Sequence, residues 1–78
     1  MIKRTEKLVI TFHTTTAAMA MEHSCKRDGQ DGRLIPVPGI ISAGCGLAWC
    51  AGIEHEEALR MHMDAREIEF QGIYRCMI

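Results

Sequence analysis

The chain lacks the features that mark several protein classes. Aromatic residues make up only 5% of its 78 residues, and there are two prolines. No apolar run approaches the roughly 20 residues that cross a bilayer as a helix. Neither charge sign dominates, because nine Lys+Arg stand against ten Asp+Glu for a net charge of −1. That balance removes the basic footprint expected of a partner for nucleic acid or for an anionic membrane, so neither is expected here. The charged start, MIKRTEK, runs into a short apolar stretch with no small-residue cleavage pattern after it. No signal peptide is read there, and the expected address is cytoplasmic. Repeats, linkers and low-complexity segments are also missing.

What is present suits a small folded domain. Hydrophobic residues make up 47% and charged residues 24%, which argues against disorder. One domain is expected over residues 1–78, with the first six residues frayed. So short a chain buries a limited core, and a homodimer is one way to enlarge it. Six methionines and many alanines replace bulky side chains, so the interior is expected to be thin and adaptable.

Four cysteines occur: Cys25, Cys45, Cys50 and Cys76. Without a secretion signal, reduced thiols are expected. Structural zinc sites bring ligands in close pairs. Cys45 and Cys50 stand at the outer limit of such a pair, and Cys25 and Cys76 do not form a second one. No metal and no cofactor are therefore expected.

Residues 7–13 (KLVITFH) alternate and are rich in β-branched side chains, which predicts a strand. Thr14, Thr15 and Thr16 are suited to capping a helix, and residues 17–27 contain helix formers without Gly or Pro. Ala18, Met21 and Cys25 fall on one face of that helix. Asp28-Gly29 stops it. Residues 33–37 (RLIPV) form a short strand candidate whose prolines, Pro36 and Pro38, place it at a sheet edge. Residues 39–46 read as a loop. Residues 47–51 read as a short buried strand broken by Gly52, although a helical turn is also compatible with so short a run. Residues 54–67 form the second helix, with Glu54, Glu56 and Glu57 at the positive end of its dipole. Its apolar stripe is weakened by His62. Residues 73–78 (IYRCMI) close the chain as a strand. The order β-α-β-β-α-β predicts an α+β fold of the ferredoxin-like kind, one antiparallel sheet with two helices on one face.

Chemistry concentrates at residues 41–50 (ISAGCGLAWC). Cys45 lies between Gly44 and Gly46. Glycines there permit positive φ, and successive N–H groups in such a turn form a nest that favours an anion such as a thiolate or persulfide. Ser42 would add one hydrogen bond. The plainer reading is a tight turn with Cys45 as a small filler. Cys50 is an auxiliary thiol or part of the core. If residues 45–50 are extended, the two sulfurs lie on opposite faces and their Cα atoms are about 16 Å apart. A disulfide needs about 7 Å or less. Cys25 and Cys76 read as buried structural thiols.

Four further positions admit a site or a simpler role. His13, at the end of the first strand, is a proton donor or orienting group for Cys45, or an ordinary strand-end residue. Thr14 and Thr15 hold an anion with free helix N–H groups, or cap the helix. Arg33 pairs with a bound anion, or is a solvated charge. His23, His55 and His62 read as surface or half-buried residues, and Trp49 as a core or interface anchor.

Residues 7–21 (KLVITFHTTTAAMAM), 32–38 (GRLIPVP), 41–48 (ISAGCGLA) and 68–74 (IEFQGIY) resemble the small bacterial selenium/sulfur carrier-like proteins. The segment ISAGCGLA is the most specific of these. The resemblance implies that the protein holds or relays sulfur or selenium, with Cys45 as the motif cysteine. It implies transient donor and acceptor proteins and a carrier more than a turnover enzyme. Glu67 stands where such sequences often have Gly after the second helix, and Cys50 is outside the shared pattern. The Cys-Pro-x-Pro motif of other sulfur carriers is absent. Two other function classes compete: a thiol–disulfide switch using Cys45 and Cys50, and a non-catalytic interaction domain whose cysteines are packing.

Overall fold

A computed structural model describes residues 5–41 and 45–78 of the chain. Strand β1 (Glu6–Thr11) leads into helix α1 (Thr15–Asp28). Strands β2 (Arg33–Pro36) and β3 (Leu47–Gly52) follow. A 3-10 turn (Ile53–His55) then opens helix α2 (Glu56–Ala65), and β4 (Gly72–Met77) completes the sheet. The domain is α+β, with one antiparallel sheet in the order β2-β3-β1-β4. The proline-bearing β2 is an edge strand, where a missing backbone donor costs no ladder bond. Glu6, expected to fray, is the first residue of β1 and pairs with Met77.

The helix ends follow from their residues. The Thr14 hydroxyl oxygen accepts the Ala17 N–H at 3.1 Å, so α1 is capped where the threonines begin. Gly29 ends it in the left-handed region, its N–H bonded to the Cys25 carbonyl. The second helix is shorter than the sequence suggests. Its expected first residues form the 3-10 turn, and it stops at Ala65. The Glu67 N–H bonds the Asp64 carbonyl at 3.2 Å, and the Ile68 N–H bonds the Met63 carbonyl at 2.9 Å. Those two bonds form a Schellman ending. Glu67 has a φ of 53°, the one positive value at a non-glycine among the described residues.

Leu8, Ile10 and Phe12 of the first strand segment meet Ala18, Met21 and Cys25 of α1 and Leu59 and Met63 of α2. Trp49 and Ala51 of β3 complete this core. Removing a large side chain from it would cost about 2–5 kcal/mol. The Trp49 indole N–H donates to the Asp31 carbonyl at 3.1 Å. Gly32 passes beside that bond with a φ of 122°, and a Cβ there would collide with the Trp49 ring and the Cys50 carbonyl. Only glycine fits the turn.

The opposite face of the sheet is not bare. Val9, Ala48 and Cys76 are buried there, packed by Ile35, Val37 and Ile41. The segment after β2 thus covers part of the face without helices. Thr11 is also fully buried. Alternation along β1 therefore does not separate a wet face from a dry one.

One polar cluster joins the helices. Ser24 and His62 are both buried, and the hydroxyl oxygen lies 2.8 Å from His62 Nε2. His62 Nδ1 is 3.7 Å from the Asp28 carboxylate, which also pairs with Arg66. This corrects the surface or half-buried reading of His62. The histidine interrupts the apolar stripe of α2 because its partner is a serine on α1. At the sheet side, Glu56 accepts from Arg60 at 3.1 Å and from Arg75 at 3.2 Å. These two bonds hold its carboxyl below the usual carboxylate range.

Candidate functional site

All four thiols are free. Cys25, Cys50 and Cys76 are buried, whereas Cys45 is half-buried. Burial pushes the Cys25 thiol up to about 11, with the Asp28 carboxylate adding to the rise and Arg66 opposing it. Cys50 is pushed up by burial as well, against the pull of Lys7 and Arg33. Neither is arranged as a nucleophile.

Cys45 sits two residues before β3. Its sulfur accepts the Leu47 N–H at 3.4 Å, and its thiol is 3.4 Å from the Leu47 carbonyl oxygen. The N–H contact survives loss of the thiol proton, whereas the contact that needs the S–H does not. Gly46 has a φ of 79°, so the turn next to Cys45 uses the freedom that glycine provides. The Gly46 carbonyl accepts the Val37 N–H at 3.0 Å, which ties this turn to the segment after β2. Cys45 packs against the helix-side core together with Leu47.

Other predicted site residues are distributed differently. Ser42 and Gly44 lie outside the described residues, so a complete nest around Cys45 is not described. Thr14 acts as the cap of α1, and Thr15 is the exposed first residue of that helix. His13 is exposed between β1 and α1. Arg33 is not brought to Cys45. Pairing of Pro36 with Leu47, and of Arg33 with Cys50, places it three positions farther along the β2–β3 ladder. Cys50 is on the face opposite Cys45, because the residues at alternate positions 45, 47, 49 and 51 all pack toward the helices.

Sequence reasoning missed the residues around Cys50. Its neighbours across the sheet are Val9 on β1 and Arg33 on β2. The signal was available only as a pairing register, and a single sequence does not contain one. Among the described residues, no group of three or more His, Cys, Asp or Glu is arranged to hold a metal ion. No helix there is long and apolar enough to cross a membrane.

Residues 7–75 match the protein family described as "Putative Se/S carrier protein-like". The chain belongs to that family. The match covers both helices and the whole sheet except Glu6 at its start and the last two residues of β4. No curated protein and no solved structure matches the chain. The family's description and the half-buried Cys45 therefore bear on function together, and no further relative adds to them.

Proposed function

We propose that the protein carries sulfur or selenium on Cys45 and relays it between partner enzymes in the cytoplasm. The observation that supports this most is the contrast among the four thiols: three are buried, and Cys45, in the segment that most resembles the family, is half-buried. A carrier needs one reachable thiol beside a backbone that tolerates a bulkier adduct. Cys45 has this at a glycine turn.

The loading step is a displacement. The Cys45 thiolate attacks the outer sulfur of a donor persulfide, the donor's S–S bond breaks, and the donor leaves as a thiolate. A new S–S bond forms at Cys45 with no net oxidation, and the product is a persulfide. Unloading is the same displacement by an acceptor's nucleophile. A selenium atom would follow the same course. The Leu47 N–H would remain in contact with the inner sulfur throughout. Donor and acceptor would be transient partners docking near Cys45. The strand order, in which each helix joins strands that have one other strand between them, supports reading the fold as ferredoxin-like.

The test is mass spectrometry without reductant, after incubation with a cysteine desulfurase and cysteine, or with the same enzyme and selenocysteine. One added chalcogen confined to the Cys45 peptide is expected. It should vanish in Cys45→Ser and persist in Cys50→Ser. A chain that gains no chalcogen, or gains it equally in Cys45→Ser, overturns the reading.

A further inference from the structure

A second cluster lies away from Cys45. A cavity of about 300 Å³ is lined by Lys7, Asp31, Arg33, Cys50 and Gly52, among others. That is the low end of the roughly 300–1,000 Å³ typical of small-molecule sites. Register builds it. Lys7 on β1 is opposite Gly52, and Arg33 on β2 is opposite Cys50, so the two cations flank β3 from either side. Lys7 alternates with Val9, and Arg33 with Ile35, both of which pack on the face without helices. Gly52 adds no side chain to the floor between them.

Charges of both signs converge here. Among the described residues neither Lys7 nor Arg33 has a carboxylate within salt-bridge distance. Asp31 uses one carboxylate oxygen to accept the Gly52 N–H at 3.2 Å, and the same oxygen is 3.7 Å from His55 Nε2. Among the described residues its other oxygen makes no such bond. The Glu54 carboxylate lies against Gly52, where a side chain would otherwise project. A simple anion would meet the Asp31 carboxylate in the lining, and a simple cation would meet Lys7 and Arg33. A ligand with both charges satisfies both sets.

We propose that this cavity binds a small zwitterion of the α-amino-acid class, its carboxylate held by Lys7 and Arg33 and its ammonium by Asp31, with Cys50 in the wall. Arg33 offers a planar fork that matches a carboxylate, and Lys7 adds a point charge. Two-point recognition is required, because a single exposed ion pair is worth little. The site is independent of Cys45, which packs on the other face.

The experiment is an amide NMR titration of the full chain with glycine at constant ionic strength, with acetate and methylammonium as single-charge probes. Saturable shifts are expected at Gly32, Arg33, Ala51 and Gly52. Glycine should bind at least tenfold more tightly than either probe. Arg33→Gln and Lys7→Gln should each weaken it about tenfold, and Cys45→Ser should leave it unchanged. Arg33 is exposed, so Arg33→Gln carries the test if Lys7→Gln fails to fold. Acetate binding as tightly as glycine, shifts that never saturate, or unchanged affinity in Arg33→Gln overturns the proposal.

Discussion

At the scale of single residues, Glu67 carries a conformational cost visible in its φ of 53°. A non-glycine residue in the left-handed region is less stable by roughly 1–2 kcal/mol. The Schellman bonds of α2 nonetheless require that conformation at this position. Glu67→Gly should therefore stabilise the protein by about 0.5–1 kcal/mol, the relief being partly offset by glycine's greater freedom in the unfolded chain. Chemical denaturation should show a higher midpoint at unchanged slope. A midpoint that stays or falls would mean that Glu67 makes contacts worth more than its strain. Gly32 presents the opposite case, because the Trp49 ring and the Cys50 carbonyl occupy the space of any side chain.

At the scale of elements, the helix pair is joined by a buried polar contact between Ser24 and His62. Burial lowers the histidine's pKa below its ordinary 6.5, with Arg66 acting in the same direction and Asp28 opposing it. Arg27 also lowers it, and Ser24 is its uncharged partner. Below about pH 6.5 the unfolded chain takes up a proton that the folded chain resists. Stability therefore falls as pH drops from that value through the lower folded one. His62→Gln should flatten this part of the profile, measured by denaturation midpoints between pH 7 and 5. Equal slopes for both proteins would remove His62 as the cause. A separate loss is expected at lower pH, where the Glu56 carboxylate is protonated and releases Arg60 and Arg75. The same pair of helices shows how much of the fold was legible. Ala18, Met21 and Cys25 announced the buried side of α1 by spacing alone, and all three are buried. His62 did not, because its burial depends on a serine 38 residues away, and a periodic pattern contains no such partner. The end of α2 was signalled only as a departure at Glu67. The packing of Val37 and Ile41 against the Val9 cluster had no local signal, since a loop's path over a sheet is set by tertiary packing. The flanking glycines marked the turn at Cys45, and Cys50 fell on a short run read as a strand with a helical turn still compatible. Neither signal revealed that Arg33 serves the Cys50 end of the ladder.

At the scale of the whole molecule, the sheet divides the thiols. Cys45 packs with the helix-side core, and Cys76 packs on the other face. Cys50 shares that second face, since it alternates with Trp49 and Ala51. Cys50 and Cys76 are no closer to pairing with each other. Strand β1 runs between them, with Val9 opposite Cys50 and Lys7 opposite Cys76. Two strand spacings alone are roughly 9.5 Å, beyond the approximately 7 Å limit for a disulfide. A thiol–disulfide switch using Cys50 with Cys45 or Cys76 would thus need the sheet to open before its bond formed. Mild oxidation of the native chain should produce no intramolecular link between Cys45 and Cys50, whereas oxidation in denaturant should produce mixed pairings among the four thiols. The rate of a Cys45–Cys50 link in native buffer should track global unfolding and rise with added denaturant. Rapid, quantitative formation of a Cys45–Cys50 bond in native buffer would show that residues 45–50 leave the sheet at little cost. The separation of faces would then no longer isolate Cys45 from Cys50.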